Sequence, residues 1–334
     1  MKIANANLMK EININNVRQV MKQVETATKP QLASLTKLSV VTVNSLVKEL
    51  CELGELYEDE TIPSNGGRPA LTYRYNYDFS LALVIYMNDK QGQDVITATV
   101  INLENTILLK EEHTLPEFDQ TQFLGIIEPI LAEHPSIKGI GIGIPGQTVN
   151  GEITVSSHQQ LKGVRMAEEI EARFGLPVMV ENDVNAAVSG YCSQQELDEG
   201  NSVIGIYFPT HYPPGMGIYL NGKVVKGKNG MAGEIKFLPL EIDWYSPMES
   251  NVFAETVYRI IHTVNAILAP DRVVIYQSQV EAEAFIQGWE SYQAEQLMPV
   301  FPEVILNESF QEHFEAGMRW LTLKELEPNI IQIT

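Results

Sequence analysis

Two stripes of apolar residues at helical spacing mark the beginning of the chain. The first stripe consists of Val17, Val20, Met21 and Val24. The second consists of Val43, Leu46, Val47 and Leu50, and Gly54 follows it as a helix stop. Positions i, i+3, i+4 and i+7 share one face of an α-helix, so each stripe predicts an amphipathic helix.

A short helix is predicted between these two. Thr28 is a suitable N-cap, Pro30 fits the first turn, and Gln31 completes a capping box. The apolar residues inside its roughly two turns are Leu32, Ala33 and Leu35. Residues 36–39 then turn the chain, and Ser39 is suited to cap the next helix. Short helices joined by a tight turn are typical of a helix-turn-helix.

The outer face of the last of these helices suits DNA. The residues that periodicity places there are Val41, Thr42, Asn44, Ser45 and Lys48. Asn and Ser side chains hydrogen-bond base edges, Val and Thr methyl groups contact thymine, and Lys reaches phosphate. The alternative is a helical hairpin of an interaction domain, with a solvated polar face.

Two predicted strands follow, at 56–57 and 71–75, and a loop rich in Gly and Pro joins them. Gly66 and Gly67 allow close approach to a backbone, and Arg68 is suited to a narrow minor groove. We interpret the hairpin as the wing of a winged helix-turn-helix over residues 1–76, with its acidic run 58–60 pointing away from DNA. The alternative is a domain linker with an incidental Arg.

From residue 77 onward, strand-like and helix-like segments alternate, which predicts an α/β fold. Strands are predicted at 81–87, 95–103, 106–113, 140–144, 177–180, 203–208, 216–220, 273–276 and 302–310, the last leaving the domain. Helices are predicted at 120–133, 166–174, 251–268, 281–300 and 311–326. In the last helix, Phe314 and Trp320 are expected in the core.

The acidic charge belongs almost entirely to this second region. Residues 1–76 hold 9 Lys/Arg and 8 Asp/Glu, whereas the rest holds 14 Lys/Arg and 35 Asp/Glu, for a net charge of −20. Charges more than about 10 Å apart are screened at physiological salt. A locally neutral DNA-binding head is therefore compatible with an acidic body, and we expect modest non-specific affinity for DNA and a dependence on dimerisation.

The sequence favours a cytoplasmic protein. The polar N-terminus lacks the apolar core of a secretion signal, and no apolar run approaches the ~20 residues of a membrane span. Cys51 and Cys192 are too few and too far apart in sequence for a disulfide framework or a zinc site. They are expected to be reduced thiols.

Four motifs occur in order along the chain: SNGGRPA at 64–70, GIGIPG at 141–146, ENDVNAA at 181–187 and NGKVVKGKNGMAGEI at 221–235. With the helix-turn-helix before them, they resemble the ROK proteins (repressors, open reading frames and sugar kinases) of the winged-helix repressor branch, over essentially the whole chain. The resemblance implies an actin/hexokinase-like (ribonuclease H-like) pair of α/β lobes with a sugar site in the cleft. The lobes are expected at 77–186 plus 311–334 and at 187–310, the second sensing sugar and dimerising.

The resemblance weakens where kinases of the family hold ATP. Residues 86–92 read YMNDKQG in place of Asp-x-Gly-Gly-Thr, and residues 277–279 read QSQ in place of a glycine pair near adenosine. The second phosphate loop, 210–215, reads THYPPG, in which two prolines remove two backbone donors that phosphates require. We therefore expect no ATP use, no enzymatic activity and no cofactor.

The sugar-binding positions are better retained. By the resemblance, Asp183 aligns with the catalytic base of the kinases, and Asn182 and Glu234 align with sugar-contacting residues. His158 and Gln159 stand where the family presents a Pro-Asn pair, so a different sugar contact is expected there. The alternative role for Asp183 is that of a capping or turn residue after a buried strand.

The zinc site of the family is expected to be lost. Lys236 and Phe237 follow the Gly-Glu pair where the family has a His, and no Cys occurs in 238–334. His262 and His313 are isolated in sequence and are expected to be surface or packing residues.

The leading hypothesis is a repressor of carbohydrate-metabolism genes. It binds a double-stranded operator as a homodimer or tetramer and senses a sugar or sugar derivative. One alternative is an active sugar kinase with a divergent ATP site, and another is a repressor whose large domain only dimerises or docks, without a ligand.

Overall fold

The computed structural model describes residues 2–63, 69–90, 93–115, 118–156, 159–195, 197, 200–210 and 212–327. Arg68, His158 and the side chain of Gln159 lie outside the described residues. The chain forms two compact units. The first comprises Met1–Leu81, Asn102–Thr106 and Glu325–Thr334, and the second comprises Ala82–Ile101 and Ile107–Lys324.

The first unit contains three helices and a small antiparallel sheet. The helices are α1 (Lys2–Val24), α2 (Lys29–Thr36) and α3 (Val40–Glu52). The strands are β1 (Thr26–Thr28), β2 (Leu56–Ile62) and β3 (Ala70–Tyr75), in the order β1-β3-β2. The three-residue β1 escaped prediction because it is too short to carry an alternating pattern.

The predicted caps are present. Thr28 and Gln31 form a reciprocal capping box at the start of α2, and the Ser39 hydroxyl accepts from the backbone N–H of Thr42 at 3.1 Å. Lys37, in the turn between α2 and α3, takes the left-handed conformation with φ of 57°. These local bonds fix where α2 ends and where α3 begins.

Most residues of the two predicted apolar stripes are buried in the core of this unit, but two apolar residues predicted to be buried are exposed. The buried members of the core include Val17, Met21, Leu32, Ala33, Val43, Leu46, Val47 and Leu50. Leu35 and Val24, predicted inside, are exposed. Both lie at or next to a helix end, where the buried face runs out. Near the end of α2 the buried position is instead Thr36, whose hydroxyl donates to the carbonyl of Leu32 at 2.6 Å.

The second unit begins with a five-stranded sheet in the order β10-β7-β4-β5-β6. Its strands are β4 (Leu81–Lys90), β5 (Gln93–Asn102), β6 (Ile107–Leu115), β7 (Ile137–Ile144) and β10 (Val178–Asn182). The small hairpin β8 (Gly146–Val149) and β9 (Glu152–Ser156) follows β7. The helices are α4 (Gln120–Glu133), α5 (Met166–Phe174) and α6 (Asp183–Gln194). Strands β7 and β10 are parallel, so their carboxyl ends lie at one edge of the sheet.

The rest of the second unit forms another five-stranded sheet in the order β13-β12-β11-β14-β15. Its strands are β11 (Val203–Tyr207), β12 (Gly215–Leu220), β13 (Lys223–Val224), β14 (Arg272–Tyr276) and β15 (Glu303–Leu306). The helices are α7 (Ser250–Leu268), α8 (Ala282–Ala294) and α9 (Phe310–Leu326). A core of apolar side chains from α7, α8 and the sheet includes Val257, Ile261, Ile275, Phe285 and Trp289.

Two predicted elements are shorter than their patterns indicated. The helix predicted at 281–300 ends at Ala294, five residues before Pro299, whose missing N–H also disfavours a helix that runs to residue 300. The strand predicted at 302–310 ends at Leu306 and pairs in parallel with β14, so it completes the sheet rather than leaving the domain. The Asn307 side chain then accepts from the N–H of Ser309, which turns the chain into α9.

Helices α6 and α9 touch backbone to backbone at two glycines. A Cβ on Gly317 would lie 1.7 Å from the carbonyl oxygen of Ala186, and one on Gly190 would lie 1.9 Å from that of His313. Only glycine fits at either position, because the atoms it meets belong to a helix backbone that cannot move aside. This contact fixes α9, whose first turn borders the site described next.

Candidate functional site

A cleft of about 780 Å³ opens in the second unit, at the carboxyl ends of several strands. Asn88 comes from the end of β4, Pro145 follows β7, Asn182 ends β10, and Tyr207 ends β11. In open α/β sheets, loops and helix starts converge at these ends, which makes them the usual place for a ligand. Of the sequence-predicted site residues, Asn182, Asp183 and Glu234 all line this cleft.

Asn182 is the N-cap of α6, and this role occupies most of its side chain. Its Oδ1 accepts from the backbone N–H groups of Val184 (2.9 Å) and Asn185 (3.1 Å), and its Nδ2 donates to the carbonyl of Gly146 at 3.0 Å. One Nδ2 hydrogen is left over for a ligand. Asn182 therefore acts mainly by positioning its neighbour, Asp183.

Asp183 is the first residue of α6 and lies on the floor of the cleft. Burial raises the pKa of its carboxyl group to about 7, against the opposing effect of the Val184 backbone N–H, which donates to Oδ1 at 2.9 Å. The negative charge of Glu234 raises it further. A carboxyl group with such a pKa exists in both forms near neutral pH, so it can accept from a hydroxyl group or donate to one.

Glu234 reaches the cleft from a loop after β13. Its carboxylate pairs with the ammonium group of Lys236 at 2.8 Å, and both side chains are mostly buried. The preceding Gly233 has a φ of 90°, and a Cβ there would lie 1.8 Å from the carbonyl oxygen of Met216. The loop thus lies directly on β12, and this close approach aims Glu234 and Lys236 into the cleft. Phe237, next in sequence, is exposed at the rim.

A second ion pair connects strand β10, which ends at the cleft, to the segment that carries Glu234. Glu181 is buried, accepts from the Asn182 backbone N–H and from the Asn185 side chain, and pairs with Lys226 at 2.8 Å. Lys226 lies in the same segment as Glu234, the motif 221–235 singled out from the sequence. The two motifs 181–187 and 221–235 are therefore joined by an ion pair that the sequence alone did not indicate.

Aromatic rings also line the cleft. Tyr207 and Phe310 stack with centroids 3.6 Å apart and planes 9° apart, and Phe314 lies next to them. Pro213 and Pro214 line the same cleft from the loop between β11 and β12. Prolines carry no N–H, so this loop presents few of the backbone donors that bind phosphate.

Residues 277–279, which the family resemblance places near adenosine, lie in a local turn. The Gln277 Oε1 accepts from the N–H groups of Gln279 and Val280, and its Nε2 donates to the Val280 carbonyl at 2.7 Å. The Gln277 side chain thereby takes up hydrogen-bonding groups of the turn's own backbone. Phe314, predicted as a core residue, is buried and also borders the cleft, whereas Trp320 is only half-buried and packs near Tyr219.

Sequence reasoning missed several lining residues. Tyr207, Phe310, Gln311 and Asn88 border the cleft, as do Trp244 and Tyr245 of the loop before α7. Asn88 and Tyr207 stand at strand carboxyl ends, which is a signal that a search of strand ends would have found. Phe310 carried no such signal, because the pattern placed a strand end there, and Gln311 was predicted only as the first residue of a helix.

In the first unit, the predicted DNA-contacting side chains of α3 share its outer face. Val41, Asn44, Ser45 and Lys48 are exposed, and Thr42 is half-buried. Val41 has 79% of its surface accessible, unusual for an apolar side chain on a helix. Lys48 forms a loose i,i+4 pair with Glu52 at 3.7 Å and stays largely solvent-accessible.

The other ionisable groups singled out from the sequence lie apart from the cleft. His313 is buried and its Nδ1 hydrogen-bonds the Tyr276 hydroxyl at 2.8 Å, while His262 lies against Tyr292. Across the described ranges, no three His, Cys, Asp or Glu side chains group as metal ligands would. No helix in the described part of the chain is long and apolar enough to cross a membrane.

Residues 90–249 match the sequence pattern of the ROK family. The chain is 24% identical over 252 residues to a protein named xylose repressor from Bacillus spizizenii, covering 73% of this chain and 64% of that one. It is 25% identical over 255 residues to the DNA-binding transcriptional dual regulator NagC of Escherichia coli strain K12, covering 72% and 60%. The chain thus spans less than two thirds of the length of these curated relatives.

Solved structures share the fold. A ROK family transcriptional regulator described as a homolog of the Escherichia coli MLC protein matches 95% of this chain and 99% of its own, with a TM-score of 0.61 at 18% identity. The ROK hexokinase of Thermus thermophilus matches 74% of this chain and 98% of its own, with a TM-score of 0.57 at 18% identity. The second unit therefore has the mixed α/β, hexokinase-like fold of ROK proteins.

Proposed function

Because residues 90–249 belong to the ROK family, we propose that this protein is a sugar-responsive transcriptional repressor that binds its ligand without phosphorylating it. The observation that carries the proposal is the pairing of two features in one chain. One is a capped α2–turn–α3 segment with an exposed reading face, and the other is a ROK cleft that keeps Asp183 and Glu234.

The N-terminal unit acts as a winged helix-turn-helix in this proposal. Helix α3 enters the major groove, where Asn44 and Ser45 hydrogen-bond base edges, Val41 contacts thymine methyl groups and Lys48 reaches phosphate. Arg68, on the loop between β2 and β3, enters the minor groove. The relatives named xylose repressor and DNA-binding transcriptional dual regulator support a DNA-binding role.

The ROK domain acts as the sensor. The carboxyl groups of Asp183 and Glu234 supply hydrogen-bond partners for sugar hydroxyls, and the Asn182 amide supplies one further donor. We infer that the cleft does not hold ATP, since Pro213 and Pro214 carry no N–H to donate to phosphate and the Tyr207–Phe310 stack lines the same cleft. Asp183 therefore serves recognition rather than catalysis.

Repression requires two DNA-binding units at a fixed spacing. A dimer reads two half-sites about one helical turn apart. A sugar that binds one arrangement of the ROK domains more tightly than another shifts the population of that arrangement and so changes operator affinity. We propose a homodimer, or a tetramer built from two such dimers, as the DNA-binding form.

Selection of genomic fragments by the purified protein tests this function. At physiological salt we expect enrichment of a palindromic site near carbohydrate genes, weakened in Arg68→Ala. The matched control is Arg173→Ala, which removes an Arg from α5, in the second unit. No enrichment with or without added sugar mixtures would contradict the repressor assignment.

A second candidate, an active sugar kinase, is favoured by one observation: Asp183 retains the position of a catalytic base at the cleft floor. Sugar-dependent consumption of ATP that disappears in Asp183→Asn would support the kinase and overturn the binding-only sensor. Turnover equal in the native protein and in Asp183→Asn would exclude it.

A further inference from the structure

We propose that the cleft binds a disaccharide, with one sugar ring at Asp183 and Glu234 and the second on the rings of Tyr207 and Phe310. This inference rests on the proposed sugar-sensing function and specifies the size and shape of its ligand. It assigns a role to the aromatic rings that line the cleft.

The size of the cleft supports a ligand larger than one ring. Its volume is about 780 Å³. Sites that bury drug-sized ligands range from about 300 to 1,000 Å³, so this cleft lies in the upper part of the range. A monosaccharide is smaller than such ligands and leaves part of the cleft unfilled.

Aromatic rings line the same cleft. Tyr207 and Phe310 stack almost face to face, and both side chains are half-buried, so each stays partly accessible. Phe310 is held in turn by Phe314, whose ring lies 6.3 Å away. We call these three residues the aromatic platform. The C–H face of a pyranose is apolar and packs on such a ring face, while its hydroxyl groups project sideways.

Two amide atoms beside the platform have no partner among the described residues. The Oδ1 of Asn88 and the Nε2 of Gln311 are buried without a hydrogen bond. Both residues line the cleft, and Gln311 directly follows Phe310. A buried polar atom left unpaired is unfavourable, so a ligand that pairs with it gains affinity. The terminal torsion of an amide side chain is soft, so each amide can turn its unpaired atom toward a ligand.

These groups match the second ring of a disaccharide. One orphaned acceptor and one orphaned donor suit hydroxyl groups, which donate and accept. A nucleotide is disfavoured because Pro213 and Pro214 cannot donate to phosphate. An aryl glycoside would cover the platform but leave both amides unpaired. The disaccharide alone satisfies the platform and the amides together.

Titration calorimetry of the full-length protein tests the inference with matched sugars. The probes are glucose with cellobiose and maltose, xylose with xylobiose, and N-acetylglucosamine with its β-1,4-linked dimer. We expect at least one disaccharide to bind about tenfold or more tightly than its monosaccharide, since each 1.4 kcal/mol is tenfold.

Substitutions then localise the second ring. Gln311→Leu and Asn88→Leu should each weaken disaccharide binding about tenfold, because each removes one hydrogen bond to the ligand, and should leave monosaccharide binding nearly unchanged. Neither removes a hydrogen bond within the protein at the orphaned atom, so thermal unfolding should change little. Gln122→Leu, on the exposed face of α4, is the matched control.

Three results would overturn the inference, and they are distinguishable. If monosaccharides and disaccharides bind equally and Gln311→Leu changes neither, the cleft does not bind a second sugar ring, although the sugar-sensing function would still stand. A gain in affinity with p-nitrophenyl glycosides and none with disaccharides would assign the platform to an aryl group. Silence toward all these sugars would contradict the sugar-sensing function as well.

Discussion

The side-chain amide of Asn182 donates to the carbonyl oxygen of Gly146 at 3.0 Å, while its other end caps α6. One side chain thus joins the carboxyl end of β10, the first turn of α6 and the start of the β8–β9 hairpin. All three border the cleft. The orientation of Asp183, the next residue, depends on this junction.

Asn182→Ala should destabilise the protein by about 1–2 kcal/mol, because α6 loses its side-chain cap. Denaturation in urea measures the change. Asn182→Ser, which keeps a capping oxygen and loses the amide donor to Gly146, should have a free energy of unfolding between those of Asn182→Ala and the native protein. An unchanged free energy of unfolding in Asn182→Ala would contradict the junction.

The raised pKa of Asp183 makes stability depend on pH. Its pKa in the folded protein is about 7, above its ordinary value of 3.8, so between these values the folded state holds more protons than the unfolded state. The stabilisation by this group is therefore complete below about pH 4 and is lost as pH rises toward 7. Asp183→Asn should be more stable than the native protein at pH 8, by about 1–3 kcal/mol.

Thermal unfolding at pH 5 and pH 8 checks this sign. The difference in Tm between Asp183→Asn and the native protein should be larger at pH 8. Asp119→Asn, at the exposed cap of α4, serves as the control for loss of one carboxylate. A difference in Tm that is the same at both pH values would show that Asp183 does not titrate in this range.

Sugar affinity should change with pH in the opposite sense. Sugar hydroxyls that donate to Asp183 favour its ionised form, so binding should tighten between pH 6 and pH 8 and release a proton. Calorimetry in buffers of different ionisation enthalpy measures the proton release. Binding that weakens across this interval would indicate that the protonated carboxyl group is the form that holds the sugar.

The contact between α6 and α9 should not tolerate a side chain at Gly317. Its Cβ would overlap the carbonyl oxygen of Ala186. Gly317→Ala should therefore lower stability by about 2 kcal/mol or more, since overpacking typically costs 1–3 kcal/mol. The matched control is Gly125→Ala in α4, where a Cβ meets nothing within 4 Å and alanine should stabilise the helix. Equal effects of the two substitutions on Tm would contradict the contact.

The buried carboxylate of Glu55 depends on Arg18 of α1. The guanidinium group donates to both carboxylate oxygens, and the pairing raises the pKa of Arg18. Arg18→Met leaves Glu55 unpaired and should cost about 3 kcal/mol, whereas the double variant Arg18→Met/Glu55→Leu should recover much of it. Urea denaturation of the two variants decides the matter. A double variant as unstable as Arg18→Met would mean that α1 needs the ion pair itself.

Substitutions on the outer face of α3 should distinguish recognition of DNA bases from attraction to the phosphate charge. Asn44→Ala should cost about 1–3 kcal/mol on the preferred operator and relax preference at one base position. Lys48→Ala should weaken binding to all sequences alike and reduce the salt slope by about one. Lys138→Ala, in β7 of the second unit, is the charge control. Fluorescence anisotropy with operator and scrambled DNA distinguishes the two effects, and a shared loss on both DNAs would argue against base reading by Asn44.

The sequence by itself determined the features that depend on neighbouring residues. The capping box of Thr28 and Gln31, the cap by Ser39 and the buried stripe of α3 follow from spacings of three or four residues. Helix periodicity and caps act within one turn, so a pattern in the chain is sufficient to specify them. The grouping of Asp183 and Glu234 was also available, through the resemblance of their motifs.

The tertiary structure decided which side chains, distant in sequence, become neighbours in space. Tyr207 and Phe310 stack although they are far apart in the chain, and Lys226 meets Glu181 across two motifs. These contacts depend on the order of strands in each sheet and on the glycine contact between α6 and α9, none of which leaves a periodic trace in sequence. The raised pKa of Asp183 is likewise a property of burial. Desolvation comes from the surrounding fold as a whole, so it is decided only when the chain is folded.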